Sequence, residues 1–209
     1  PIEDKFHWAR TAIQLSFTIF LFFETWLVPL EGWGVDKFGP RPVIIFGAVL
    51  STVGWILCSK AETLGMLYFA QVLTGAGAGA VYGTCSGNSL KWFPDKRGLA
   101  AGATAAGFGA GAAVTVIPVA NMINTAGYEQ AFMVFGIIQG IIIAFCALFM
   151  PRAKLPPGTT AIPKVISSKK NFTQTQMIRQ PIFWLIYVCF VGVASGGIMA
   201  TASFGPVSR

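Results

Sequence analysis

The chain has 209 residues, of which 54% are hydrophobic and only 11% charged, with a formal net charge of +7. Soluble domains carry about a quarter charged residues, so a water-soluble globule of this size would expose more apolar surface than it could hide. Lipid is the solvent this composition fits, and a soluble enzyme domain is excluded.

The chain opens on PIEDKFHWAR, a loop-like stretch without an initiator Met or signal peptide, and stops directly after an apolar segment; both ends read as cuts in a longer chain. His7 is a lone loop histidine to which no role attaches. A bilayer core about 30 Å thick needs about 20 apolar residues of helix. Six stretches meet this length, at 11–30, 43–60, 65–90, 98–123, 129–150 and 181–203. None alternates polar with apolar as barrel strands do. The predicted class is an all-α, polytopic helical membrane protein with six transmembrane helices.

The first stretch carries Gln14 in its outer half and Glu24 near mid-membrane. Glu24 lies twelve residues before Asp36, about 18 Å along a helix. A carboxyl at that depth is costly and marks either a proton-coupling or gating group or a structural bond to a neighbouring helix. Glu31, seven residues on, shares its face and is expected to be solvated near the cytoplasmic mouth. Between the first and second stretches stands GWGVDKFGPR, where Gly39 and Pro40 turn the chain and Lys37 and Arg41 hold it on one side of the membrane. Asp36 is placed to meet the dipole or donors of a neighbouring helix end, a contact that could form in one conformation and break in another.

The third stretch contains GAGAGAVYGTCSG. Gly75, Gly79, Gly83 and Gly87 recur every four residues on one helix face, the spacing that lets two helix backbones approach closely. The fourth repeats the spacing at Gly98, Gly102, Ala106 and Ala110, and the two glycine faces are expected to meet. Tyr82 interrupts the glycine face. With Gln14 it offers a neutral hydrogen-bond donor suited to a small polar anion; Asn88 and Gln139 are weaker candidates. The stretch 151–180 is polar, basic and broken by Pro151, Pro156, Pro157 and Pro163, and reads as a linker between two helical bundles. Residues 1–150 then form most of one bundle and 181–209 begin another.

Lysine and arginine alternate between the turns. Eleven lie in the turns after stretches one, three and five, against Lys5, Arg10 and Lys60 on the other side, which places the richer turns in the cytoplasm. The positive charge is therefore a topology signal, and no nucleic-acid partner is expected. Cys58, Cys85, Cys146 and Cys189 stand singly in apolar runs, with no CxxC or Cys/His cluster, so neither a metal nor a cofactor is expected.

The run Gly32, Asp36, Lys37, Gly39 and Arg41 resembles the loop signature of the major facilitator superfamily, G-x-x-x-D-[RK]-x-G-x-[RK]. The resemblance implies a partial twelve-helix transporter fold covering about helices two to seven, with the motif as a latch of the outward-open state. VDKFGPR, VYG, WFPDKRGLA, TAAGFGAG and RQPIFW, in this order, are similar to the oxalate/formate antiporter family within it. That likeness implies transport of small carboxylates by alternating access by a monomeric, multi-pass carrier of a bacterial inner membrane, with a small organic anion and the bilayer as its partners. It also implies that Gln14 and Tyr82 line the anion site. Phe108 stands where the oxalate carriers have a tyrosine, and Glu24 replaces a neutral residue. Cationic site residues of the family fall on helices beyond this stretch. A sugar or drug carrier of the same superfamily is the alternative, although GAGAAVTVIPVANM lacks the G-x-x-x-G-P-x-x-G-G pattern of drug antiporters. A membrane receptor or enzyme is the more distant one, because no cluster of His, Asp and Glu marks a mouth.

Overall fold

A computed structural model describes residue 6 and residues 8–151, 174–189, 191, 192 and 195. His7, most of the expected linker and nearly half of the sixth apolar stretch lie outside the described residues. The described residues are helical and contain no strand. Two compact units divide the chain, Pro1–Ile162 and Pro163–Arg209.

The first unit holds α1 (Arg10–Trp26), α2 (Val28–Phe38), α3 (Pro40–Ser59), α4 (Leu64–Trp92), α5 (Arg97–Ala126) and α6 (Tyr128–Phe149). Four helices are long and apolar enough to cross a membrane, or five if α1 and α2, bent by 44° at their junction, form one broken span. The expected count of six is therefore not reached among the described residues. The first stretch also differs from expectation. Its helix breaks at Leu27 and resumes through the motif to Phe38, so Gly32, Asp36 and Lys37 are helical. The break has a local cause. Pro29 has no amide hydrogen, so it cannot continue the α1 ladder, yet it fits the first turn of α2.

Each turn has its own chemistry. Gly39 takes φ 91°, a left-handed conformation that a Cβ would strain, and Pro40 starts α3 at once. The Thr63 side chain accepts from the Met66 amide at 3.2 Å and caps α4. A single 3₁₀ turn, Pro94–Lys96, leads into α5, and Gly127 at φ 88° reverses the chain into α6.

The interior is built of small residues. Ala48, Ala70, Ala80, Ala131 and Ala147 are buried, and Ile44 is the largest side chain among the fully buried ones. The bulky apolar residues, Phe46, Ile141, Phe145 and Leu148 among them, point outward as a lipid-facing surface would. Without a hydrophobic drive between helices in lipid, backbone proximity does the work. A Cβ on Gly47 would come within 2.8 Å of the Gly77 carbonyl, and one on Gly54 within 2.9 Å of the Ala70 carbonyl, joining α3 to α4. On the far side of α3, a Cβ on Gly136 of α6 would lie 2.5 Å from the Trp55 Cβ, and one on Gly140 would strike Thr52.

The expected meeting of two glycine faces does not occur. Gly75 of α4 lies against the Phe20 carbonyl and Gly79 against the Glu24 carbonyl, both of α1, while Gly83 faces Val28 and Glu31 of α2. A Cβ on Gly87, Gly98 or Gly102 would meet nothing within 4 Å. Both glycine faces exist, but the bend between α1 and α2 lays that broken span along α4's, and α5 has only Ala100 buried.

In the second unit the described part consists of α7 (Gln174–Ile178) and a helical stretch at 181–189. The Trp184 indole donates to the Ile178 carbonyl at 2.8 Å, tying the two together.

Candidate functional site

The close approach of α4 to α1 and α3 leaves space where the side chains enlarge. A cavity of about 490 Å³ opens among α1, α3, α4, α5 and α6. Its wall is largely aromatic. Tyr82 meets Phe108 edge to face with centroids 5.2 Å apart, and Trp55 meets Phe132 at 5.3 Å. Gln71, Gln139, Ser51, Thr74 and Thr104 supply neutral polar groups. The Thr74 and Thr104 hydroxyls are spent on the Ala70 and Ala100 carbonyls, each at 2.9 Å, which leaves two amides, the Ser51 hydroxyl and the Tyr82 phenol as the wall's polar chemistry. No lysine or arginine belongs to this wall.

Two of the three expected binding residues, Tyr82 and Phe108, thus share one cavity. Gln14 is exposed on α1, one helical turn before the wall residue Phe17, and is not itself on the wall. Gln71 was missed by sequence reasoning, although a glutamine inside an apolar stretch was a usable signal. Ser51 and Trp55 gave none, because only the packing of α3 against α4 and α6 turns them inward.

The second polar region is one end of the bundle. Lys91 of α4 pairs with Asp36 of α2, Nζ to Oδ1, at 3.2 Å. The Arg41 Nε donates to the Met150 carbonyl at 2.7 Å, so the first turn of α3 holds the C-terminus of α6. Asn88 donates to the next carbonyl, Pro151, at 3.4 Å. Lys37 lies over the Trp33 ring at 4.9 Å, a cation–π contact. These contacts gather the basic turns around Lys37, Arg41 and Lys91 at one end. Lys60, Glu62 and Glu129 line a pocket at the other end.

The carboxylates reverse one expectation. Glu24 is half-buried on α1. Glu31 is not solvated: both its carboxylate oxygens are buried and have no hydrogen-bond partner among the described residues. The cause is the glycine face of α4. Positions Gly79 and Gly83 would place a Cβ 3.0 Å and 3.7 Å from the two Glu31 oxygens, so the carboxyl rests in space that larger residues would fill.

Comparison with known proteins adds the family. A family model described as Major Facilitator Superfamily matches residues 1–208. The chain is 34% identical over 209 residues to an oxalate:formate antiporter of Oxalobacter formigenes, covering all of this chain and 49% of that protein. It is 31% identical over 170 residues to a fujikurins efflux protein of Gibberella fujikuroi, covering 78% of this chain and 36% of the relative. Similarity to the human monocarboxylate transporter 11 is 29% over 129 residues, 61% of this chain and 27% of that protein. The chain spans about half the length, or less, of these relatives.

Proposed function

Because this chain belongs to the major facilitator superfamily, a family of multi-pass membrane transporters, we propose that its full-length carrier moves small carboxylates across a bacterial inner membrane by alternating access. The observation that carries the reading is the shared cavity of Tyr82 and Phe108, walled by five helices and furnished with amides and hydroxyls. It agrees with the 34% identity to an oxalate:formate antiporter along the whole chain. Neutral donors orient a carboxylate without trapping it, and its charge would be balanced by cations of the longer carrier. Gln14, one turn beyond the wall, would reach the anion as the cavity changes shape. Glu24 would couple or gate the cycle, and the Asp36–Lys91 pair, with Gly32, Lys37, Gly39 and Arg41, would latch one state.

The test is uptake by the full-length carrier in proteoliposomes. Gln14→Ala and Tyr82→Phe are each expected to lower carboxylate uptake about tenfold or more, the effect of losing a hydrogen bond to a charged group, at unchanged membrane insertion. Unchanged uptake removes them from the site. If Glu24 couples protons, Glu24→Gln flattens the pH dependence of transport; a wild-type profile leaves it a structural bond.

A second reading rests on Phe108 and the aromatic wall. A cavity so apolar also suits a larger, less polar solute, as the likeness to an efflux protein suggests. Flux over oxalate, formate, lactate, pyruvate, sugars and an aromatic drug separates the two.

A further inference from the structure

A second, smaller cavity of about 180 Å³ lies between α2 and α4, lined by Val28, Glu31, Gly32, Asp36, Thr84, Asn88 and Lys91 among others. Three buried oxygens there lack partners: both oxygens of Glu31, and the hydroxyl of Thr84, a residue only 3% exposed. Unsatisfied polar atoms at such depth are rare and costly, and a carboxylate more so than a hydroxyl. The ammonium nearest to hand does not resolve the charge. Lys91 lines the same cavity, but its Nζ is paired with Asp36 at 3.2 Å.

We propose that this cavity binds a small monovalent cation of the sodium class, through the Glu31 carboxylate, the Thr84 hydroxyl and the Asn88 amide oxygen. A hard cation takes oxygen ligands, and all three groups are oxygens. The Asn88 nitrogen is engaged by the Pro151 carbonyl, which leaves its oxygen as the acceptor. Of the two carboxylates that line the cavity, Asp36 is balanced by Lys91, so Glu31 is left to match a single positive charge. A divalent metal would have too few anions, and the described residues contain no group of three or more His, Cys, Asp or Glu that could hold one. A proton on Glu31 would neutralise the carboxylate but satisfy only one of the three oxygens, whereas a cation in the cavity they all line would be shared among them. The volume admits the ion with several waters to complete its shell. The helix break beside the cavity supports the same assignment. Val28 and Glu31 both belong to the first turn after it, and broken helices are where membrane carriers place ion sites.

The probe is sodium itself, on the full-length carrier purified in detergent at constant ionic strength, comparing sodium chloride with choline chloride at each of several pH values. Sodium is expected to raise Tm saturably, and labelled sodium to bind one ion per carrier. Thr84→Val should weaken the half-saturating concentration about tenfold, as for one lost ligand, while Thr84→Ser keeps it. Glu31→Gln should abolish both signals. Equal Tm in the two salts overturns the proposal, as does a shift that follows pH alone in choline, which would make Glu31 a proton site. Sodium binding undiminished in Thr84→Val and Glu31→Gln overturns the assignment to this cavity. The readouts contain no carboxylate substrate, so their failure is separate from failure of the transport reading.

Discussion

At Gly75 the absence of one methyl group decides how close two helices come. An added Cβ would strike the Phe20 carbonyl, which is backbone and cannot rotate away. Gly75→Ala is therefore expected to destabilise the carrier by about 1–3 kcal/mol, read as a lower Tm in detergent. Gly102 is the control. Its Cβ would enter open space, so Gly102→Ala is expected to stay within about 0.5 kcal/mol of the parent. Sequence spacing flagged both residues equally, because period four marks a face and not its partner. Glu31 shows the same limit. Its nearness to the cytoplasmic mouth read as solvation, whereas its surroundings are set by glycines more than forty residues away. Tyr82 was legible for a simpler reason: a phenol on a glycine face has little business facing lipid.

At the scale of the helix, the ends do more than the middles. Arg41 joins the start of α3 to the last carbonyls of α6 through its Nε, and Asn88 of α4 holds the following carbonyl. Arg41→Ala should cost about 1–2 kcal/mol, toward the lower part of the range for bonds to charged groups because the site is exposed. Arg41→Lys should recover part of this, since an ammonium keeps the charge but not the planar guanidinium. Asp36→Asn is a different case. The Asp36–Lys91 pair is exposed, at 74% and 49% for the two side chains, so its loss should barely move Tm. If the pair latches one state, the loss instead shifts the balance between inward and outward forms, measurable as altered alkylation of a single cysteine in the Tyr82 cavity. The helix boundary was legible where turn chemistry was strong, at Gly39–Pro40; the turns at Pro94–Lys96 and Gly127 emerged only with the structure. The break at Leu27 was not legible, because a proline within a long apolar run signals a first turn and a kink alike.

Across the whole molecule, the apolar lengths disclose the helical class, and the alternation of basic turns carries the expected topology. Single cysteines at Lys37 and Lys96 should react with an impermeant reagent from one side of the membrane, and one at Lys60 from the other. Reaction of all three from one side would refute the topology. The order of packing was hidden, because in lipid the interior and exterior are equally greasy and apolar periodicity loses its meaning. What betrays the interior is residue size: alanine and glycine inward, phenylalanine and isoleucine outward. The unequal grip on the helices has a mechanical consequence. α3 is clasped by α4 on one flank and α6 on the other, whereas α5 buries only Ala100. Paired spin labels on α3 and α5 should therefore report a broader spread of separations than labels on α3 and α6.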